Sequence, residues 1–137
     1  TFHRESTVRY SLLVMSPPAS GHGNLTAARF AHALLAAGHS IHRVFFLDEG
    51  SRTGAAAAVP PQDETDVQAQ WLQLAREHGV ELILCISSAI RRGMLDATEA
   101  ERHERGAATV HPEFEISGLG QLVDAWAHSE RLVTFGG

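Results

Sequence analysis

The chain has 137 residues, enough for one domain with a core of its own and too few for two. A hydrophobic fraction of 44% beside a charged fraction of 20% excludes a disordered chain. The formal net charge is −5, every basic residue is arginine, and only Arg91 and Arg92 are adjacent, so the clustered cations that grip a nucleic-acid backbone are missing.

Thr1–Arg9 is polar, has no initiator Met and lacks the apolar core of a secretory signal. It reads as an extension or expression remnant ahead of a domain spanning residues 10–137. Tyr10–Met15 (YSLLVM) is a short apolar run entering the breaker-rich stretch Ser16–Gly23 (SPPASGHG), the pattern of a buried strand running into a turn. Asn24 is the predicted N-cap of a helix whose Ala27, Phe30, Ala31 and Leu34 share one face, with Gly38 at its C′ stop. Ile41–Leu47 (IHRVFFL) gives a second strand.

Asp48–Pro61 is predicted as a loop, in which the Ala55–Ala58 run has the length of one helical turn. Thr65-Asp66-Val67-Gln68 has the form of a capping box, opening a helix with Val67, Trp71, Leu74 and Ala75 that closes at His78-Gly79. Val80–Cys85 is the third strand. Ser87–Arg92 follows as a short helix, capped by Ser87 or Ser88 and stopped by Gly93. Thr98-Glu99-Ala100-Glu101 offers a second capping box, and Gly106 ends the helix it starts. Ala107–Ile116 is expected to be irregular. Leu119, Leu122, Val123 and Trp126 repeat a helical face, and Arg131–Phe135 (RLVTF) is the last strand. Strands alternating with helices over short connections define a single α/β domain with a mainly parallel sheet flanked by helices.

No apolar run approaches the roughly 20 residues of a membrane span. One cysteine excludes an intrachain disulfide and fits a reducing, cytoplasmic setting. In open α/β sheets ligands gather at the carboxyl ends of the strands. Three features fall there: the Ser16–Gly23 loop, the Asp48–Pro61 loop and Cys85. Gly21-His22-Gly23 lacks the third glycine of a dinucleotide fingerprint, since position 26 is Thr. A plain strand-to-helix turn is the better reading there than a nucleotide cradle. The histidines have none of the tight ligand spacings of a zinc site, so neither a metal nor a cofactor is expected. Ser87 and Ser88 lack the Gly-x-Ser-x-Gly setting of a nucleophilic serine.

Cys85 carries two readings. LILCI is core-like, and free cysteine is among the most buried residue types. The residue also ends a strand just ahead of a helix start, where the partial positive charge of the first turn favours thiolate. Residue pattern alone leaves both open. A reactive cysteine without a resolving partner cannot cycle through an internal disulfide. It can accept a sulfane sulfur as a persulfide and hand it to a thiolate on another protein.

Leu84–Asp96 (LCISSAIRRGMLD), followed by Glu99-Ala100, resembles the cysteine segment of the DsrE/TusD sulfurtransferases. Ile116–Ala125 (ISGLGQLVDA) and Arg131–Gly136 (RLVTFG) resemble that family's C-terminal segment. Further matches run through Phe30–His39, Val44-Phe45-Phe46, Pro60–Glu64 and Trp71, so the resemblance covers the chain from about Tyr10. It implies a compact α/β fold with Cys85 as the catalytic, persulfide-carrying residue. It also implies assembly with TusB-like and TusC-like subunits in a heterohexamer, a TusA-like sulfur donor and a TusE-like acceptor. The sulfur would end in 2-thiouridine at a tRNA wobble position, with no direct nucleic-acid or membrane contact by this chain. DsrE-type subunits of DsrEFH complexes, which serve sulfur oxidation, and non-catalytic structural subunits are the alternatives. Leu47-Asp48-Glu49-Gly50 departs from the family, which commonly has an aromatic after the Phe pair.

Overall fold

A computed structural model describes residues 7–136. One sheet contains β1 (Arg9–Val14), β2 (Ser40–Phe46), β3 (Glu81–Cys85), β4 (Phe114–Ser117) and β5 (Arg131–Phe135). All neighbours pair in parallel, in the order β4-β3-β2-β1-β5. The helices are α1 (Gly23–Ala36), α2 (Val67–His78), α3 (Ile86–Arg91), α4 (Ala97–Arg102) and α5 (Gly120–Ala127), with a 3-10 helix over Asp48–Gly54.

The path of the chain decides which face each helix covers. From β1 through β4 each crossover steps the same way along the sheet, whereas β4 to β5 steps back across it. Parallel crossovers are right-handed, so the reversed step puts α5 on the face opposite α1 and α2. Side chains alternate between the faces accordingly. Leu12, Val14, Val44, Phe46, Leu82 and Leu84 pack with Ala27, Ala31, Leu34, Trp71 and Leu74 in the main core. Phe45, Ile83 and Cys85 point to the other side, where Leu13, Leu47 and Leu122 of α5 pack on them. Arg43 of β2 secures α5 there. Its guanidinium donates to Glu81 Oε2 (2.7 and 2.9 Å), Asp124 Oδ2 (2.6 Å) and the Gln121 carbonyl (3.0 Å).

The mainly parallel α/β domain expected from the sequence is present, and several local expectations are corrected. Ala107–Ile116 is not wholly irregular, because Phe114–Ser117 pairs with β3 as an edge strand. It is only four residues long and follows His111-Pro112, which hides its alternation. β1 takes in Arg9, and the Val8 carbonyl accepts from Ser40 N–H, so the polar N-terminal stretch joins the sheet there. Thr1–Ser6 lie outside the described residues. Ala55 makes a bridge to Val110 instead of a helical turn. Asp66 and Asp96, not Thr65 and Thr98, cap α2 and α4, accepting from Ala69 N–H and Glu99 N–H. Gln68, free of the expected box, donates to the Thr53 and Ala55 carbonyls.

Asn24 is the largest correction. It lies inside α1, whose N-cap is His22, and its side chain is buried. Its Nδ2 donates to the Ser16 carbonyl and to Thr53 Oγ1, both at 2.8 Å, and its Oδ1 accepts from Trp71 Nε1 at 2.8 Å. Asn24→Ala leaves a buried indole N–H and a buried carbonyl without partners. Each such loss costs about 1–3 kcal/mol, so urea unfolding should show stability lower by about 3 kcal/mol. A loss of under about 1 kcal/mol would mean that the network is dispensable.

Candidate functional site

Cys85 is the last residue of β3 and the N-cap of α3, with no side-chain cap bond and extended backbone (φ −61°, ψ 123°). The helix therefore starts at Ile86, directly on the strand end. Ser88 does not cap it; its Oγ accepts from Asp48 N–H at 2.9 Å instead. The cysteine is 2% exposed and packs beside Phe45 and Ile83, so the core-like reading of its burial holds. It nevertheless borders an open cleft of about 470 Å³. Leu47, Asp48 and Glu49 form one side, Ser87, Ser88, Arg91 and Arg92 another, and Leu119 sits at the margin.

Charge on the cleft wall is organised by Glu49. Its carboxylate accepts from Arg52 Nε (2.7 Å) and Arg92 Nε (2.9 Å), and Arg92 Nη1 also donates to the Ser88 carbonyl. The hydrogen bond from Arg52, then that from Arg92, holds the Glu49 carboxyl below its ordinary value of 4.5. Asp48 next to it has φ 51°, a left-handed conformation in which Asp is tolerated better than most residues. Arg91 is exposed and has no ion-pair partner among the described residues.

The helical face read from Leu119, Leu122, Val123 and Trp126 is split. Leu122 packs against the Cys85 cluster, but Leu119, Val123 and Trp126 are 55%, 61% and 70% exposed. Periodicity identified the helix correctly; it does not say whether the apolar stripe meets its own chain. The glycine loop is a packed turn. A Cβ on Gly23 would lie 2.2 Å from Ser16 Oγ and 3.0 Å from the Gly136 carbonyl, so close approach accounts for the glycine. His42 meets Asp124 at 3.1 Å, His128 meets it at 2.9 Å, and His103 meets Glu99 at 3.2 Å. Among the described residues no group of three or more His, Cys, Asp or Glu side chains is arranged to hold a metal ion.

Sequence reasoning singled out Cys85, and the structure brings it to this cleft together with the adjacent Arg91 and Arg92. The same reasoning placed the Asp48–Pro61 loop at this end of the sheet but did not single out Asp48 or Glu49 within it. Their position directly after a strand, at the carboxyl end of the sheet, was the signal available.

An all-parallel α/β sheet that brings one thiol to a strand end beside a charged cleft defines a class of small, single-cysteine α/β proteins. The chain belongs to the DsrE/DsrF-like family, whose pattern matches residues 9–135. It is similar to the sulfurtransferase TusD homolog of Pseudomonas aeruginosa, 42% identical over 95% of this chain and 98% of that one. It is 43% identical to sulfurtransferase TusD of Serratia proteamaculans, over 92% of this chain and 98% of that one. DsrE of Allochromatium vinosum is 38% identical over 94% of this chain and 99% of that one. The crystal structure of the ychN protein from E. coli shares the fold, with a TM-score of 0.76 at 18% identity, covering 94% of this chain and all of that one.

Because its folded carboxyl is depressed, Glu49 contributes stability that is complete above pH 4.5 and disappears as pH falls through the lowered folded value. The difference in melting temperature between the wild type and Glu49→Gln should therefore shrink on acidification below that pH. A difference that stays constant with pH would remove the Arg52–Glu49–Arg92 bridge from this account.

Proposed function

We propose that this protein is a sulfurtransferase in which Cys85 carries sulfur as a persulfide between partner proteins. The observation that carries this reading is the placement of the chain's sole cysteine at the β3–α3 junction, bordering an open cleft. The names of relatives at 42% and 43% identity support the transferase class.

In the first step the Cys85 thiolate attacks the terminal sulfur of a donor persulfide. A bond forms between Cys85 Sγ and that sulfur, the donor's S–S bond breaks, and the donor leaves as a thiolate. In the second step an acceptor thiolate attacks the terminal sulfur of the Cys85 persulfide. The Cys85 thiolate departs and the acceptor holds the persulfide, with no net oxidation in either step. The first amide groups of α3, which have no partner within the helix, supply positive potential beside the sulfur. Burial of the thiol limits access to what enters the cleft, which protects a persulfide from stray oxidants.

In the fuller reading the chain sits with TusB-like and TusC-like subunits in a heterohexamer in the cytoplasm. A TusA-like protein would donate sulfur and a TusE-like protein would accept it, leading to 2-thiouridine in tRNA. The exposed Val123 and Trp126 on α5, with Leu119 at its N-cap, support a role within an assembly. The similarity to DsrE favours a second reading, a subunit serving sulfur oxidation. Loss of 2-thiouridine from tRNA of a deletion strain separates the two.

Incubation with a persulfidated donor should add the mass of one sulfur atom to the intact wild-type protein and nothing to Cys85→Ser. A folded wild type that acquires no sulfur under conditions where the donor is depleted by another acceptor would overturn the proposal.

A further inference from the structure

A second cleft, of about 720 Å³, shares Arg91 with the one beside Cys85. Ile90, Leu95 and Ala107 supply its apolar surface, Arg91 and Arg105 its cations, and the His103 imidazole also lines it. Among the described residues no carboxylate lines it, although the chain as a whole carries a net charge of −5. Arg43, Arg52, Arg76, Arg92 and Arg102 are each engaged in an ion pair. Arg91 and Arg105 have no such partner among the described residues, and they converge on this one cleft.

Arg105 is held there by the way α4 ends. Glu104 N–H donates to the Glu101 carbonyl and Arg105 N–H to the Ala100 carbonyl at 2.8 Å, a Schellman closure. The same closure ends α3 with Gly93 at φ 72°, but here the left-handed position at φ 54° is occupied by Glu104. The helix stops before Gly106, the residue expected to end it, and the backbone accepts a strained residue to turn the chain at this point. His103 Nε2 lies 3.2 Å from Oε2 of the buried Glu99, while Arg102 donates to its Oε1.

We infer that this cleft is a docking groove for an acidic, apolar-anchored segment of the protein that exchanges sulfur with Cys85. The inference rests on Cys85 being the transfer thiol. A residue only 2% exposed that borders a cleft is out of reach of a flat protein surface, so the partner's sulfur must arrive on a projecting segment. A segment entering the Cys85 cleft and leaving over Arg91 runs into the second one. Unpaired arginines above an apolar floor complement carboxylates that alternate with apolar side chains. The volume lies within the range of about 300–1,000 Å³ typical of organic ligand sites, more than a lone inorganic anion fills.

The test uses the full-length chain as Cys85→Ser, so that binding is read without sulfur transfer. The probes are fluorescein-labelled, cysteine-free peptides alternating glutamate with leucine, or arginine with leucine. By anisotropy the glutamate peptide should bind, more weakly as salt rises, and the arginine peptide should not. Reversal of one cation, Arg105→Glu or Arg91→Glu, should weaken binding about tenfold, because attraction becomes repulsion. Arg29→Glu, a reversal of an exposed arginine on α1, should leave binding unchanged. Equal affinity for the two peptides, wild-type affinity in Arg105→Glu, or full displacement by inorganic phosphate would overturn the groove. If the peptide binds as expected while the wild type takes up no sulfur, the groove stands and the transfer role of Cys85 falls.

Discussion

The carboxyl edge of the sheet is held together through one buried amide, that of Asn24. Its three hydrogen bonds tie the chain leaving β1, the 3-10 helix leaving β2 and the indole of α2 to the start of α1. In a low-dielectric core such a network is stabilising only when every member is satisfied, which fixes the relative positions of all four segments. The 3-10 helix passes the constraint on. A Cβ on Gly50 would lie 2.1 Å from the Val14 carbonyl, so this helix rests directly on the end of β1. From there Asp48 N–H and the Glu49 carboxylate reach Ser88 of α3 and Arg92, its C-cap. The backbone around Cys85 is thus braced from the far side of the sheet through a chain of polar contacts.

A different kind of constraint operates on the opposite face. There α5 is attached by the Arg43 guanidinium, which joins β2 to Glu81 of β3 and to Asp124 of the helix. Asp124 also accepts from His42, a residue at the irregularity where β1 and β2 change register. Leu122 is the helix's apolar contribution to the Cys85 cluster. The site thus lies between a rigid, network-braced layer and a thin layer fastened mainly by charge.

Four of the five strands, all but β4, were legible in the sequence because buried parallel strands read as apolar runs, and because Gly38, Gly79 and Gly93 stand in left-handed turns at helix ends. Cys85 was legible as a strand-end residue by the same logic. What pattern could not supply was the partner of each polar group. Asn24 has the composition of a cap and the environment of a core residue, and only the arrival of Trp71 and Thr53 from distant sequence separates the two. Thr65 and Thr98 lost their capping roles to Asp66 and Asp96, equally good caps close by in the sequence. Gly106 was the natural end of α4, and the strained Glu104 took that position instead. The exposed half of α5 was invisible for a related reason: hydrophobic periodicity reports a stripe, not what faces it.

The two tryptophans divide between these layers. Trp71 is sealed in the main core, edge-on to Phe46 at 5.2 Å and hydrogen-bonded to Asn24. Trp126 stands in solvent at the end of α5. The chain therefore carries two intrinsic fluorophores with separate duties. One emits from an apolar site and reports whether the chain is folded; the other emits from water and responds to whatever covers α5. Folding and the covering of α5 can be followed as distinct spectral events in the unlabelled protein.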